Sequence, residues 1–170
     1  NLMRDIAKTL HRTHRAHAPK LYSLVTQFST LQSFIDDGLS SIRRYATLRH
    51  VKSFGDFEDW FQRNRPAEST YHKSFIHNDF HAYNIMVANG SLSGILDWNG
   101  AVIGEGQVDV AFFSLLMAAI GYPELADTFI TEYRQVSNFR LGELNFYTTA
   151  IAVLKILQAP LQVNEMRETG

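Results

Sequence analysis

The chain has no cysteine. This excludes disulfide bonds, thiolate catalysis and cysteine zinc sites, and it fits a reducing compartment, so we expect a cytoplasmic protein. Charge of one sign is also lacking, since 16 Lys and Arg oppose 17 Asp and Glu. No apolar run is long enough to span a bilayer, and the first residues lack the layout of a signal peptide. We therefore expect neither nucleic acid nor a membrane as a partner.

A length of 170 residues fits one domain with a sizeable core. Apolar residues make up 45% of the chain and charged residues 19%, which is ordinary for a globular protein. The chain begins with Asn1 and enters a helical pattern at once. We take this as a sign of a domain cut from a longer chain.

The first part of the chain has helical periodicity. Apolar residues recur at Leu2, Ile6 and Leu10, and this predicts a helix from Leu2 to His17 that ends before Pro19. A second helix is predicted from about Thr30 to Tyr45, and a third from an N-cap at Asp56 to Arg63. We expect this whole part to be helical.

The pattern then changes to short apolar runs. Ser74–Ile76, Ile85–Val87 and Leu92–Leu96 predict strands, and Asn89-Gly90 between the last two is a strong hairpin turn signal. Three further helices are predicted at Val110–Ile120, Pro123–Gln135 and Leu141–Leu157. The expected fold class is α+β, mostly helical, with one small embedded β-hairpin.

The residues most informative about chemistry surround this hairpin. The stretch runs His77-Asn78-Asp79-Phe80-His81-Ala82-Tyr83-Asn84, and Asp97-Trp98 follows thirteen residues after Asn84. Asp79 and Asn84 lie on the loop that enters the hairpin, and Asp97 lies where the chain leaves it. An acid, a carboxamide and a second acid suit magnesium-dependent phosphoryl transfer, which needs a base near a hydroxyl and oxygen ligands near a metal-bound phosphate.

Here the chain resembles the aminoglycoside phosphotransferase-like kinases, which share an ancestral core with protein kinases. Their catalytic loop has the form His-x-Asp-x-x-x-x-Asn, and a metal-binding segment Ile/Leu-Asp-Trp is followed by Gly-Asp-Pro and Asp-x-Ala. The matching residues are His77, Asp79, Asn84, Leu96-Asp97-Trp98, Gly104-Glu105-Gly106 and Asp109-Val110-Ala111. The resemblance covers Phe75 to Phe113 most directly and implies the C-terminal lobe of a protein-kinase-like fold.

The resemblance also implies roles. Asp79 would be the catalytic base that accepts the proton of a substrate hydroxyl, with ATP as the phosphate donor. Asn84 and Asp97 would bind Mg²⁺ and, through it, the nucleotide phosphates. His77 would support the loop by packing and hydrogen bonding, and Asp109 would brace it through backbone N–H groups.

Three departures from the family pattern stand out. Asn78 replaces the usual Gly, Ala82-Tyr83 replaces Pro-Gly, and Glu105 stands in a modified Gly-Asp-Pro segment. The sequence also contains no glycine-rich phosphate loop and no strand with a nucleotide-binding lysine. We therefore expect residues 1–170 to form one domain, the C-terminal lobe of a small-molecule kinase, with the N-terminal nucleotide-binding lobe absent from this chain. Alone, the chain should be inactive.

Two other interpretations stay open. The chain could be a non-catalytic binding module that keeps a kinase-like lobe, or a metal hydrolase whose ligands are His77, Asp79 and His81. A second histidine group, His11, His14 and His17, recurs every third residue on the first helix, and we expect it to lie on a solvated helix surface. The residues do not indicate which hydroxyl compound accepts the phosphate.

Overall fold

The computed structural model describes residues 1–17, 19–137 and 141–168. The helices are α1 (Leu2–His14), α2 (Pro19–Tyr22), α3 (Leu31–Leu48), α4 (Phe54–Arg63), α5 (Gln107–Ala119), α6 (Pro123–Ser137) and α7 (Leu144–Glu168). The strands are β1 (Thr26–Gln27), β2 (Lys73–Ile76), β3 (Ile85–Ala88), β4 (Ser91–Ile95) and β5 (Val102–Glu105). The predicted class, mostly helical with a small β component, is confirmed.

Helix ends follow local capping. The Thr30 side chain accepts a hydrogen bond from the Ser33 backbone N–H at the start of α3, and the Glu68 carboxylate accepts two more, from Leu31 and Gln32. The prediction of Asp56 as an N-cap is wrong, because α4 begins at Phe54 and places Asp56 inside its first turn. An acid in that turn still faces the positive end of the helix dipole.

The first part of the chain is not purely helical. β1 pairs in parallel with β5, and β5 pairs antiparallel with β2, so the three strands form a small sheet in the order β1-β5-β2. Neither β1 nor β5 was predicted. β1 has only two residues, and both strands depend on pairing with residues far away in the chain, so no local pattern reveals them.

The predicted hairpin is confirmed. β3 and β4 pair antiparallel, and Asn89 and Gly90 at its tip both have positive φ, at 52° and 75°. A two-residue turn with both φ values positive matches the right-handed twist of the strands. The hairpin packs by Ile85, Leu92 and Ile95 against a core formed mainly by α1, α5 and α6.

Helix α5 lies between the two main core clusters. Val110, Phe113 and Met117 belong to the cluster with α1 and α6, while Val108 and Ala111 belong to a second cluster with α3, α4 and α7. A helix that is apolar on all sides is expected in such a central position. Among the described residues, no helix has the length and apolarity needed to cross a membrane.

Candidate active site

Residues 77–84, called the catalytic loop for their likeness to the family motif, join β2 to the hairpin and contain two of the departures from the family pattern. Asn78 has φ of 64°, in the left-handed region where asparagine is tolerated better than most residues with a side chain. Ala82–Asn84 form one turn of 3-10 helix, and the Tyr83 side chain is 72% exposed. The loop therefore takes a defined course with Asn78 and Tyr83 in place of smaller or more rigid residues.

His77 is fully buried and contacts the backbone of two segments of the site, at Asp79 and at Leu96. Its Nδ1 accepts a hydrogen bond from the Asp79 backbone N–H at 3.3 Å, and its Nε2 lies 2.7 Å from the carbonyl oxygen of Leu96. Because that carbonyl can only accept, the neutral ring carries its proton on Nε2. The imidazole ring also packs against the Trp98 ring, with 4.6 Å between the ring centres. His77 thus ties the catalytic loop to the segment that carries Asp97.

Asp109, in the first turn of α5, holds the backbone of the loop. Its Oδ2 accepts from the His77 N–H and its Oδ1 from the Asn78 N–H, both at 2.8 Å. The carboxylate is completely buried. Such charge-assisted bonds from two successive N–H groups set the position of the residue that follows them, Asp79.

The prediction of a solvated histidine surface is wrong for His14. Its Nε2 lies 3.1 Å from Asp109 Oδ2 and its Nδ1 lies 2.6 Å from the Tyr133 hydroxyl, and the residue is only 4% exposed. The buried face of α1 runs Met3, Ile6, Ala7, Leu10 and His14. His14 therefore lies four residues after Leu10 on the buried face of the helix. The prediction considered only the spacing of the three histidines and overlooked this position. His17 is exposed as expected.

Asp79 is the one acid of the catalytic loop, and its side chain is 36% exposed. Its Oδ2 lies 3.3 Å from His81 Nε2, and its Oδ1 lies 3.3 Å from the ammonium of Lys155 on α7. The sequence reasoning missed Lys155. The signal was present, because it is the only charge in the otherwise apolar run from Ala150 to Leu157.

Asn84 and Asp97 lie at the root of the hairpin, where its two strands begin and end. The Leu96 backbone N–H donates to the Asn84 carbonyl at 2.8 Å, so Asp97 is the next residue beyond this cross-strand bond. The Asn84 side-chain nitrogen donates to the Asp79 carbonyl at 3.0 Å. This leaves the amide oxygen of Asn84 as the atom that could ligate a metal. Asp97 is exposed, with φ of 57°.

These donors fit Mg²⁺ bound together with phosphates. Magnesium prefers oxygen ligands and commonly takes one or two from the protein, with phosphate and water oxygens completing its shell. Among residues 1–17, 19–137 and 141–168, no three His, Cys, Asp or Glu side chains are grouped to hold a metal ion by themselves. Both ring nitrogens of His77 are engaged with the backbone, so the hydrolase interpretation loses one of its three ligands.

Glu105, which stands where the family pattern has the aspartate of Gly-Asp-Pro, lies buried at the end of β5. It accepts hydrogen bonds from the backbone N–H groups of His72, at 2.8 Å, and Gln107, at 3.0 Å. Burial raises the pKa of its carboxyl to about 7, although both hydrogen bonds act in the opposite direction. Glu105 thus links His72, just before β2, to Gln107, the first residue of α5. Gln107 lies two residues before Asp109.

Because the folded state binds the Glu105 proton more tightly than the unfolded state, Glu105 contributes stability that is fully present below pH 4.5 and is lost as pH rises towards 7. A Glu105→Gln variant lacks this titration. We expect the unfolding free energy of the wild type, relative to the variant, to fall by about 3 kcal/mol between pH 4.5 and 7.5. Urea unfolding of both proteins across this range measures the difference, and parallel pH profiles would contradict the prediction.

The structure is similar to solved antibiotic phosphotransferases. An aminoglycoside-3'-phosphotransferase of type VIII is 15% identical, with a TM-score of 0.66 over 91% of this chain and 59% of that chain. A macrolide 2'-phosphotransferase type I is 14% identical, with a TM-score of 0.72 over 96% and 54%. A streptomycin–ATP complex of APH(2")-IIa is 17% identical, with a TM-score of 0.52 over 78% and 47%. The predicted kinase-like fold is confirmed.

The chain thus spans about half the length of these solved structures. A search of curated proteins by sequence finds no match. The family model described as "Phosphotransferase enzyme family" matches residues 1–147, which include every candidate site residue except Lys155. The chain belongs to this phosphotransferase enzyme family.

Proposed function

We propose that the chain is the C-terminal, catalytic lobe of an ATP-dependent phosphotransferase of the cytoplasm, which moves the γ-phosphate to a hydroxyl of a small molecule. One observation carries the proposal. Asn84 donates its side-chain N–H to the Asp79 carbonyl, and its own carbonyl accepts from Leu96, the neighbour of Asp97. A candidate base and two candidate metal ligands are thereby joined by two hydrogen bonds.

Asp79 is the proposed catalytic base. Its side chain is partly open to solvent, so a substrate hydroxyl can approach. Its backbone N–H donates to His77 Nδ1, and Asp109 holds the N–H groups of the two residues before Asp79. The carboxylate would orient the hydroxyl towards the γ-phosphate and accept its proton as the new O–P bond forms. Correct placement of the base and the hydroxyl supplies much of the rate in this reaction class. The buried residues His77 and Asp109 would contribute by fixing the position of Asp79.

Asn84 and Asp97 are the proposed ligands of Mg²⁺. They would hold the metal beside the nucleotide, and when bound it would supply positive charge that offsets the negative charge developing during transfer. Asn84 contributes a neutral amide oxygen, and Asp97 contributes a carboxylate that accepts one hydrogen bond from Asn99 at 3.0 Å. The left-handed backbone at Asp97 turns the chain sharply at the end of β4, next to Asn84.

We further propose that a separate N-terminal lobe supplies the rest of the nucleotide site. No glycine-rich phosphate loop occurs in the 170 residues, and the chain spans about half of the solved structures that it matches. The missing elements would be a phosphate-covering loop and a lysine that pairs with the phosphates. Electrostatic stabilisation of the phosphates supplies most of the rate in this reaction class. A chain without the phosphate-covering loop and the lysine should therefore transfer phosphate very slowly.

We therefore expect the 170-residue chain alone to turn over ATP at less than about 1% of the rate of the complete enzyme, in which an N-terminal nucleotide-binding lobe precedes Asn1. A coupled spectrophotometric assay with Mg²⁺ and a panel of hydroxyl compounds measures both rates. Robust turnover by the chain alone would contradict the two-lobe proposal.

The matched test of the candidate metal site is Asp97→Ala in the complete enzyme, with Asp56→Ala as the control, since Asp56 is also an exposed acid but lies on helix α4. Asp97→Ala should abolish binding of the Mg²⁺–nucleotide complex, and the control should leave it unchanged. Binding that is indifferent to Asp97→Ala would favour a non-catalytic module.

A further inference from the structure

The two carboxylate oxygens of Asp79 have different neighbours. Oδ1 lies 3.3 Å from the ammonium of Lys155 on α7, and Oδ2 lies 3.3 Å from Nε2 of His81 in the catalytic loop. The terminal torsion of an aspartate side chain has only weak preferences of its own, so a carboxylate rotates easily unless neighbours hold it. Contacts to both oxygens restrict this rotation at Asp79.

Both of these neighbours pack against one aromatic ring, that of Phe112 on α5. The Lys155 ammonium lies 4.3 Å from the centre of the ring, within the range of a cation–π contact. The His81 ring meets the Phe112 ring edge-on, with 5.3 Å between the ring centres and 75° between the planes. Phe112 is only 6% exposed, so the core holds the ring in place. Phe112 therefore sets where Lys155 and His81 stand relative to each other.

The four side chains form a closed set of contacts, from Asp79 to Lys155, to Phe112, to His81 and back to Asp79. The side chains of Lys155 and Asp79 are 41% and 36% exposed, so water weakens the attraction between their charges. A half-exposed ion pair alone would not define an orientation. The contact with Phe112 supplies it, because it fixes the ammonium on one side of the carboxylate.

We propose that Lys155 is a positioning residue for the candidate base: together with Phe112, it holds the Asp79 carboxylate in the orientation from which it accepts the proton of the substrate hydroxyl. The inference rests on the proposed function, since it assigns a further role in the same reaction. A misplacement of about 1 Å between reacting groups can lower a rate 10²-fold. Helix α7 would thus contribute to catalysis through one side chain that touches the base.

NMR of the 170-residue chain tests the positioning without catalysis. The three-bond couplings of the Asp79 β-protons should report one side-chain rotamer in the wild type and an average over rotamers in Lys155→Met and in Phe112→Leu. Lys155→Arg should keep the single rotamer, because a guanidinium also pairs with a carboxylate and packs on an aromatic ring. Lys8→Met, at an exposed position on α1, is the matched control and should leave the couplings unchanged.

Steady-state kinetics of the complete enzyme test the consequence for the reaction. Lys155→Met should lower kcat at least about tenfold, with KM for the Mg²⁺–nucleotide complex within about twofold of the wild type. Lys155→Arg should restore kcat to within about threefold of the wild type. Phe112→Leu should also lower kcat, and combining it with Lys155→Met should add little, because both changes release the same carboxylate. Phe129→Leu, which alters a buried ring on α6, controls for lost core packing and should keep kcat.

A background without the base separates positioning from direct contact with the phosphate. In Asp79→Asn, the change Lys155→Met should alter kcat less than about twofold, because no base is left to position. A further tenfold loss there would overturn the proposal, as would a kcat of Lys155→Met equal to or above that of the wild type, or an Asp79 rotamer that Lys155→Met leaves unchanged. Failure of the proposed function is a different result, the absence of phosphoryl transfer by the complete wild-type enzyme, and the NMR couplings would still show whether Lys155 holds Asp79.

Discussion

Asp79→Asn in the complete enzyme is expected to lower kcat about a thousandfold, while the affinity for the Mg²⁺–nucleotide complex should stay close to that of the wild type. Asparagine keeps the shape of the side chain but cannot accept a proton at the carboxamide, and a positioned general base is worth roughly 10²- to 10⁴-fold in rate. The shorter of the two hydrogen bonds from the Asn84 side chain to Asp79, at 3.0 Å, is to the backbone carbonyl, so the substitution leaves this bond in place; the other, to Asp79 Oδ2, is 3.5 Å long. Steady-state kinetics with ATP and an accepted hydroxyl compound measure the effect.

The control for this experiment is Asp59→Asn, which changes an exposed acid on α4. It should retain full activity. If Asp79→Asn kept more than about one tenth of the wild-type kcat, Asp79 would not be the base, and the function proposed for the catalytic loop would need another proton acceptor.

The largest effect on stability is expected for Asp109→Ala, which should lower the unfolding free energy of the chain by about 4 kcal/mol. The substitution leaves two buried backbone N–H groups, those of His77 and Asn78, without their acceptor, and it removes the carboxylate that His14 contacts. Removing one partner of a buried, hydrogen-bonded charge typically costs 3–5 kcal/mol. For a protein of this size the melting temperature should fall by about 10 °C.

Denaturant unfolding of the 170-residue chain measures this loss. Asp127→Ala, at an exposed position on α6, provides the comparison and should change stability by less than about 0.5 kcal/mol. A similarly small change for Asp109→Ala would mean that water or a neighbouring group replaces the carboxylate, and the loop would then be held mainly by His77.

Local signals account for the parts of the fold that the sequence predicts well. The Asn89-Gly90 turn, flanked by short apolar runs, identifies the hairpin because its conformation is determined by adjacent residues. The apolar periodicity of α1 and α6 likewise predicts these helices, because it depends only on residues close together in the chain. β1 and β5 escape prediction, since two- to four-residue strands acquire their structure from partners elsewhere in the chain.

The same distinction applies to the candidate site. Asp79, Asn84 and Asp97 are found from their spacing, because the hairpin that brings them together is itself local. His14 and Lys155 reach the site from α1 and α7, at opposite ends of the chain, and only tertiary packing brings them to Asp109 and Asp79. Each nonetheless left a trace, as a polar residue within an apolar helical stripe.

The candidate metal ligands and the turn lie at opposite ends of the hairpin. Asn84 and Asp97 occupy its root, and the Asn89-Gly90 turn occupies its tip, several residue pairs away. Adding or deleting matched pairs near the tip would preserve which side chains face each side of the ribbon, because strands alternate with a period of two. The length of the hairpin can therefore change over evolutionary time, or be redesigned, without disturbing the geometry of the candidate metal ligands at its root.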